Sequence, residues 1–405
     1  MRQIRLSKLT AVLSVIAMVT VLLMSGCGSA SSTSGPATLK IGYVGSFTGF
    51  GSAQHIHIRD GAQLCADWLN EQGGVTIGGQ KYKIDLLTDD GQGTVEGYTA
   101  ATKKLVNEDH VKYLVGGVEP PFLAAINAIT EPAKVLHSSL YYCEEGWLGP
   151  KSPYSFLVNP ATRAGILASM DYWAQAYPNI KNIALITPAD GSQDVLSKIV
   201  KDEASKYGIN VVYTYDFPIN LTDWYGPITK VLQSKPAGIF WTNGWASLEG
   251  PGVKTIRELG FTGPIVASNY ESPTEMLTYA GAAAATNYVG HGWTTDTSES
   301  DMPSMMKTII AYANAKQGSF NQWELWGWNG VWCMVQAMEH ANSLDPTKVA
   351  NSWRNMGSIQ TAFGPGKMGG QATYGANQVV EAPVELSALM NGKVQHIKWI
   401  TPDIP

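Results

Sequence analysis

Hydrophobic and polar positions follow two alternating patterns along the chain from residue 39 onward. Residues 39–45 form a short, mostly apolar run ending at a glycine, which is typical of a buried strand. In the stretch 54–70, Cys65 and Leu69 belong to a set of apolar residues that recurs at helical spacing. The chain repeats this strand-then-helix pattern many times.

The pattern predicts two consecutive series of strands and helices. In the first series, strands are predicted at 39–45, 82–87, 111–115, 133–137 and 154–158, and helices at 54–70, 94–107 and 122–129. In the second, helices are predicted at 161–177, 193–206, 224–233 and 249–259, and strands at 183–187, 210–215, 238–242 and 264–267. Strands separated by helices of this length form βαβ units, so each series predicts a mainly parallel sheet with helices on both faces.

The boundary between the two series falls near Asn159 and Pro160, where an apolar strand meets a turn signal. Further predicted elements are a strand at 288–293, helices at 304–316 and 324–341, and a terminal strand pair within 379–396. Because this material must dock on one lobe and then on the other, the chain would cross between them three times. We therefore predict an α/β fold of two doubly wound, Rossmann-like lobes joined by three crossovers, with a ligand cleft at the carboxyl ends of the strands.

The predicted domain limits follow from this topology. The first lobe takes residues 39–159 and about 290–355, and the second takes 160–289 and about 356–405. Asn391 and Gly392 mark the turn of the terminal strand pair, because this dipeptide favours a tight hairpin.

The amino-terminal segment predicts export from the cytoplasm. Arg2, Arg5 and Lys8 precede an uncharged stretch, 9–24, which is shorter than the roughly 20 apolar residues of a membrane-spanning helix. A charged start followed by a short apolar core is typical of a signal peptide, which we assign to residues 1–26.

The end of this segment predicts a lipid anchor. Residues 23–27, Leu-Met-Ser-Gly-Cys, resemble the lipobox of bacterial lipoproteins, which implies that Cys27 is acylated. Residues 28–37 contain no aromatic, charged or large aliphatic residue, so we predict a flexible tether over 27–38. The protein would then lie outside the cytoplasm, anchored to the cell membrane; the alternative is an ordinary signal peptide with an incidental cysteine.

Charge argues against nucleic acid as a partner. The 405 residues carry a net charge of -5, and removing Arg2, Arg5 and Lys8 from the 28 basic residues leaves 25 against 33 acidic ones, a net of -8. An acidic body favours solubility and disfavours contact with phosphate backbones or anionic lipids over its general surface.

Cysteine spacing indicates no metal or redox motif. Besides Cys27 the chain has Cys65, Cys143 and Cys333, at spacings that match no zinc or redox pattern. Three cysteines allow at most one disulfide, and the sequence leaves open whether any pair forms.

Four motifs occur in order in the first lobe. They are Ile-Gly-Tyr-Val-Gly-Ser-Phe-Thr-Gly at 41–49, Arg-Asp-Gly-Ala at 59–62, Trp-Leu-Asn-Glu-Gln-Gly-Gly-Val at 68–75 and Leu-Thr-Asp-Asp at 87–90. Together with segments 115–117, 183–188 and 363–365, they resemble the branched-chain amino-acid binding family of type I periplasmic solute-binding proteins. The resemblance covers about 39–405. It implies a receptor whose lobes close on a small-molecule solute and present it to an ABC permease with its ATPase subunits.

In the first lobe, the resemblance implies ligand contacts in three loops. The first loop supplies Gln54, the third-strand loop supplies Glu119, and the fourth-strand loop supplies Ser138, Ser139 and Tyr141. Ser138 and Ser139 have a plain alternative as turn or cap residues.

In the second lobe, the same comparison implies contacts from Ser192, Asn243, Trp245, Tyr270 and Glu271. Trp323 begins the helix that returns to the first lobe and is a further candidate. The aromatic candidates, Trp245, Tyr270 and Trp323, can alternatively pack at the lobe interface, because large aromatic side chains are usually buried.

The third-strand loop departs from the family pattern. Relatives present backbone N–H groups and a serine hydroxyl to a ligand carboxylate there, whereas this chain has Glu119, which repels a carboxylate, and Pro120, which has no N–H. Aromatic residues with hydroxyl and amide donors suit a flat or partly apolar ligand. We therefore expect an amino acid or a related small amphipathic solute, aromatic and amide-like compounds included.

An enzyme has little support in the sequence. His55 and His57 lie two apart at a helix start without a third ligand nearby, and Asp89 and Asp90 are expected in a turn or cap role. We expect a monomer with no catalytic residue, metal or cofactor. A ligand-sensing lipoprotein of the same fold is the main alternative, and a surface hydrolase is the weaker one.

Overall fold

Two mainly parallel β-sheets organise the part of the chain that the structure describes. This computed structural model describes residues 35–140, 147–160, 162–242, 246–270, 273–291 and 301–404. Residues 1–34, with the predicted signal peptide and Cys27, lie outside the described residues. Within the described ranges, no helix combines the length and apolar character of a membrane span.

The first lobe is built from the amino-terminal strands and helices. In chain order these are β1 (Ala37–Gly45), α1 (Ser52–Glu71), β2 (Val75–Ile77), β3 (Gln80–Asp90), α2 (Val95–Lys103, continued by a π-helical turn, Lys104–Glu108), β4 (Tyr113–Gly116), α3 (Pro120–Ala133), β5 (Leu136–Ser139) and β6 (Ser155–Leu157). Strands β6, β5, β4 and β1 pair in parallel in that order, and β3 and β2 complete the edge.

The second lobe repeats the same plan. Its elements are α4 (Thr162–Ala176), β7 (Asn182–Ala189), α5 (Gln193–Lys206), β8 (Asn210–Pro218), α6 (Tyr225–Gln233), β9 (Gly238–Trp241), α7 (Ala246–Glu258), β10 (Ile265–Tyr270), α8 (Pro273–Ala280) and β11 (Tyr288–His291). Its parallel strands lie in the order β11-β10-β9-β7-β8.

The rest of the chain returns to the first lobe and then to the second. It contains α9 (Ser304–Gln317), α10 (Glu324–Ala341), α11 (Pro346–Arg354), β12 (Ile359–Thr361), β13 (Gly364–Gly369), α12 (Gln371–Tyr374), β14 (Val379–Glu381), β15 (Val384–Met390) and β16 (Lys393–Ile400). Strand β14 pairs in parallel with β6, whereas β15 and β16 extend the second sheet antiparallel from β11. The chain therefore crosses between the sheets three times, which confirms the predicted topology.

One expected domain limit is wrong. Residues from about 356 onward were expected in the second lobe, but β12, β13 and β14 hydrogen-bond into the first sheet. The reason is burial, since Ile359, Phe363 and Val380 belong to the first hydrophobic core. Only β15 and β16 join the second sheet, with their turn at Asn391 and Gly392 as predicted.

Each sheet has a hydrophobic core on both faces. Helices α1, α9, α10 and α11 cover one face of the first sheet, and α2 and α3 cover the other. Helices α6, α7 and α8 cover one face of the second sheet, and α4 and α5 cover the other. This layering fixes the strand ends and leaves the loops that follow them free to form a site.

Candidate functional site

The carboxyl ends of the parallel strands in the first sheet carry the predicted first-lobe contacts. The loop after β1 leads to Gln54, the loop after β4 contains Glu119, and β5 ends in Ser138 and Ser139. In open α/β sheets, this edge is where ligands bind. Tyr141 lies outside the described residues.

Asp90 holds the loop between β1 and α1. Its Oδ1 accepts the N–H of Phe47 over 2.8 Å and that of Gln92 over 2.8 Å, and its Oδ2 accepts the hydroxyl of Thr48 over 2.7 Å. Burial alone would raise the pKa of Asp90, but these hydrogen bonds outweigh it and hold the pKa below its usual value. Asp90 therefore has the turn role that the sequence predicts.

A buried polar network lies beside this loop and links three elements. The backbone N–H of Ser46 donates to Nδ1 of His55 over 2.9 Å. The Tyr98 hydroxyl lies 3.1 Å from Oγ of Ser46 and 3.2 Å from Nδ1 of His55. Because Nδ1 accepts a backbone N–H, the geometry assigns a neutral imidazole with its proton on Nε2.

Glu119 lies between β4 and α3 and bonds the other imidazole nitrogen. Nε2 of His55 donates to Oε1 of Glu119 over 3.1 Å, and the Glu119 side chain is 14% exposed. Its second oxygen, Oε2, is buried and accepts no hydrogen bond in the described structure. A Cβ at Gly51 would lie 3.3 Å from both Oε1 and Nε2, so a glycine at this helix start, with φ 76°, leaves room for the pair.

Glu119 also affects the neighbouring tyrosine. Burial, followed by the negative charge of Glu119, raises the pKa of Tyr98 well above its usual value, so the phenol stays protonated. The Tyr98 ring stacks on Phe122 with centroids 4.2 Å apart, which ties α2 to the first turn of α3. The network is therefore anchored to the helices that precede and follow β4 in the chain, α2 and α3.

The start of α3 offers few backbone donors. Pro120 and Pro121 occupy the first two helical positions and have no N–H. The next two amides, those of Phe122 and Leu123, both donate to the backbone carbonyl of Glu119, over 3.1 and 3.2 Å. These four positions leave no uncommitted amide for an anion at this helix start.

The other first-lobe candidates have different surroundings. Gln54 lies in the first turn of α1, next to His55, and is partly exposed. Ser138 is fully buried and its hydroxyl donates to the carbonyl of Gly330 over 2.9 Å, so its donor holds α10 against β5. Ser139 is also buried, and its carbonyl accepts the N–H of Val158. The Ser138 hydroxyl proton is therefore already used within the first lobe, while the ligand contact implied for both serines stays a prediction.

The second-lobe candidates are only partly described. Asn243, Trp245 and Glu271 lie outside the described residues, and for Tyr270 only the backbone, at the end of β10, is described. Ser192 is buried at the start of α5, and its hydroxyl and N–H both donate to Oδ1 of Asp190, over 2.5 and 2.9 Å. These two hydrogen bonds form a local turn, so the Ser192 hydroxyl proton is used in a structural contact with Asp190.

Trp323 immediately precedes α10 and packs in the first core. It is 5% exposed, and its ring lies edge-on to Trp326 with centroids 5.3 Å apart. Its backbone N–H donates to the side chain of Asn321 over 2.9 Å. Trp323 therefore packs inside the first core.

A buried histidine, His291, ends strand β11 of the second sheet. The sequence alone indicated no role for it. Oγ of Ser169 lies 2.6 Å from Nε2 of His291 and donates to the carbonyl of Ala267 over 2.9 Å. Burial lowers the pKa of His291 to about 3, so the ring is neutral at ordinary pH. It joins α4, β10 and β11 just before the chain returns to the first lobe.

The hydrogen-bond network around His55 was not predicted from the sequence, although the position of His55 on α1 indicates that it is buried. His55 continues the buried stripe of Ile58 and Ala62 on α1, and a histidine in such a stripe needs polar partners. Those partners come from other elements. Within the described ranges, no group of three or more His, Cys, Asp or Glu side chains could hold a metal ion.

Two doubly wound sheets between which the chain crosses three times, with polar residues at the strand ends, define a two-lobe fold of the type I periplasmic binding class. The family model described as periplasmic binding protein matches residues 38–382. The chain belongs to this family.

Solved structures share the fold. LivJ, the branched-chain amino-acid transporter substrate-binding protein from Streptococcus pneumoniae, in complex with isoleucine, is 21% identical, with 90% of this chain and 100% of that chain covered and a TM-score of 0.72. The leucine-binding protein LivK from Thermotoga maritima is 19% identical, with coverages of 90% and 99% and a TM-score of 0.70. An ABC-transporter solute-binding protein from R. palustris, in complex with 4-hydroxybenzoate, is 18% identical, with coverages of 90% and 98% and a TM-score of 0.73.

Proposed function

We propose that this protein is an extracytoplasmic lipoprotein that binds a small organic solute between its lobes and delivers it to an ABC permease. The observation that carries the proposal is the polar network of Ser46, His55, Tyr98 and Glu119 at the carboxyl edge of the first sheet. At this edge, Oε2 of Glu119 is buried and accepts no hydrogen bond from the described residues, which supports a polar partner there. Family membership supports the same conclusion.

The solute class is supported by the relatives and by the sequence. LivJ is described in complex with isoleucine, and the R. palustris protein in complex with 4-hydroxybenzoate. Both compounds are small and amphipathic. We propose an amino acid or a related amphipathic solute, aromatic or amide-like compounds included, for this chain.

Binding would act by closing the lobes. We assign residues 39–159 and 301–381 to the first lobe and 160–291 and 384–400 to the second, following the membership of the two sheets. A solute that contacts both lobes stabilises the closed form by its difference in affinity for the two forms. The protein is proposed to act as a monomer, with Gln54 and Glu119 contacting solute from the first lobe.

The membrane anchor is a separate proposal that depends on Cys27. Metabolic labelling with a palmitate analogue tests it, because acylation at Cys27 would be lost in Cys27→Ala and kept in Cys65→Ala. Label that persists in Cys27→Ala would reject the lipid anchor without affecting the solute-binding proposal.

Mass spectrometry of solute retained by the purified protein, followed by titration calorimetry with that compound, tests the binding function. We expect 1:1 binding without chemical conversion of the solute. Turnover of the compound would instead indicate an enzyme, and binding of only a metal ion or a sugar would reject the proposed solute class.

Transport and sensing predict different uptake. Cells lacking this protein should lose uptake of the retained solute and regain it on complementation. Unchanged uptake together with binding would favour the ligand-sensing alternative.

A further inference from the structure

The Glu119 carboxylate has one oxygen that is satisfied and one that is not. Oε1 accepts the Nε2 proton of His55 over 3.1 Å, while Oε2 is buried and accepts nothing in the described part of the chain. Burying an acceptor without a donor is unfavourable, so an N–H or O–H group from outside the described structure should complete this site. The side chain is 14% exposed and lies at the carboxyl end of β4, the edge of the sheet at which ligands bind in such folds.

Among the residues that the structure describes, no lysine or arginine pairs with this carboxylate. His55 is neutral, because its Nδ1 accepts the Ser46 N–H. Arg59, one turn further along α1, donates to Asp60 through Nε and Nη2 over 3.0 and 2.6 Å, and its guanidinium lies over the Phe47 ring. The cation of α1 is thus already paired with another acid.

The same corner is unsuited to an anion. Pro120 and Pro121 contribute no N–H, and the amides of Phe122 and Leu123 are committed to the carbonyl of Glu119. The positive end of a helix dipole acts on ligands mainly through the free N–H groups of the first turn. In α3, two of these groups are missing because the residues are prolines, and the next two already donate to a carbonyl. A carboxylate placed here would meet the charge of Glu119 without a compensating donor from the first turn of α3.

From this geometry we propose that the bound solute presents a nitrogen donor group, an ammonium or a primary amide, to Oε2 of Glu119. The inference rests on the proposed solute-binding function and specifies it, because it assigns the solute end that meets the first lobe. His55 acts as a positioning residue, because it binds Oε1 and leaves Oε2 as the oxygen that can accept the donor. Both groups offer an N–H donor. Probes that differ only in the end group distinguish the charged ammonium from the neutral amide.

Titration calorimetry with benzylamine, benzamide and benzoate, which share a ring and differ in the end group, tests this inference. The purified protein should bind benzylamine or benzamide at least tenfold more tightly than benzoate. Preference for benzylamine assigns an ammonium, and preference for benzamide assigns a primary amide. 4-Methylpentanamide and 4-methylpentanoate, which also differ only in the end group, repeat the amide and carboxylate comparison on an aliphatic skeleton.

Glu119→Gln gives the matched variant, because it keeps the shape and removes the negative charge. It should weaken binding of the preferred nitrogen probe at least tenfold and leave benzoate binding equal or tighter. Glu96→Gln, at an exposed position in the first turn of α2, is the control and should change neither. A melting curve for each variant confirms that it is folded.

The outcomes separate this inference from the proposed function. Tighter binding of benzoate than of both nitrogen probes, or equal losses in Glu119→Gln and Glu96→Gln, would overturn the inference while solute binding stands. If neither these probes nor amino acids bind to the folded protein, the proposed solute class fails and the inference fails with it.

Discussion

The imidazole of His55 bridges the backbone of Ser46 and the carboxylate of Glu119, with Nδ1 accepting over 2.9 Å and Nε2 donating over 3.1 Å. One side chain on α1 thus fixes both the end of β1 and the loop after β4. His55 is fully buried, so its two hydrogen bonds cannot be replaced by bulk water.

Replacing His55 should therefore destabilise the first lobe. In His55→Leu, the Ser46 N–H and the Glu119 carboxylate both lose a partner, and we expect the free energy of unfolding to fall by about 2–4 kcal/mol. Urea unfolding measures this change. His57→Leu, two residues along α1 and partly exposed, is the control and should change stability by about 0.5 kcal/mol or less. Equal effects would show that the His55 hydrogen bonds contribute little.

Long periodic segments made much of the fold predictable. The limits predicted for α5 and α10, 193–206 and 324–341, match the structure. Apolar residues recur at helical spacing along the whole of each helix, which is 14 residues long in α5 and 18 in α10. The short strands β12 and β13 were not predicted. Strand β13, Gly-Pro-Gly-Lys-Met-Gly, has no alternation of its own, and its place depends on pairing with β14.

The candidate site was less predictable, because its contacts join distant residues. Glu119 was inferred from its position in the family pattern, but its partner His55 lies 64 residues earlier. The family resemblance implied a ligand contact for Ser138, and its hydroxyl donates to the carbonyl of Gly330, 192 residues later. Local sequence shows that a side chain is polar but does not show which group will satisfy it.

The contact between α1 and α10 depends on two glycines. A Cβ at Gly61 would lie 1.9 Å from the carbonyl oxygen of Glu324, and a Cβ at Gly327 would lie 1.7 Å from that of Ile58. Backbone atoms cannot move away as a flexible side chain can, so either alanine substitution must push the helices apart. We expect each to lower the free energy of unfolding by about 3 kcal/mol or more, measured by urea unfolding.

Gly226 provides the control for these substitutions. It lies exposed in α6, and a Cβ there would meet nothing within 4 Å. Gly226→Ala should leave stability unchanged or raise it by up to about 1 kcal/mol, because alanine favours helix more than glycine does. A Gly61→Ala variant as stable as Gly226→Ala would contradict the close helix contact.

Arg257 holds the loops at the end of α7 through backbone carbonyls. Its guanidinium donates to five carbonyl oxygens over 2.7–3.4 Å, those of Phe261, Gly263, Ala284, Thr286 and Asn287. Burial lowers its pKa, which is consistent with a charge held by carbonyls away from solvent. Lysine has a single ammonium with three donors and cannot span this set.

Substitution at Arg257 should therefore be poorly rescued by lysine. We expect Arg257→Ala to lower the free energy of unfolding by about 2–4 kcal/mol, and Arg257→Lys to recover less than half of that loss. The control is Lys254→Ala on the same helix, where the exposed Lys254 is 3.9 Å from Glu258 and should contribute at most about 0.5 kcal/mol. Full rescue by lysine would mean that charge alone, and not the geometry of five donors, stabilises these loops.

Glu249 should make the second lobe less stable as pH rises. It is fully buried in α7, where burial raises its pKa to about 8, and its Oε2 accepts the Tyr288 hydroxyl over 3.1 Å. An unfolded glutamate has a pKa of about 4.3, so between about pH 4.3 and 8 the folded protein binds a proton that the unfolded chain lacks. Raising the pH through this window therefore favours unfolding, by up to about 1.4 kcal/mol per pH unit.

Comparison with Glu249→Gln isolates this effect, because glutamine keeps the shape and does not titrate. Urea unfolding at pH 5, 6.5 and 8 should show the variant gaining stability relative to the parent as pH rises. His137 and His291 act in the opposite direction, since burial lowers their pKa values to about 4 and about 3, and the stability they contribute above pH 6.5 is lost as pH falls. Both histidines are present in the two proteins, so their contribution cancels in the difference. A difference in unfolding free energy that stays constant from pH 5 to 8 would show that Glu249 titrates alike in the folded and unfolded chain.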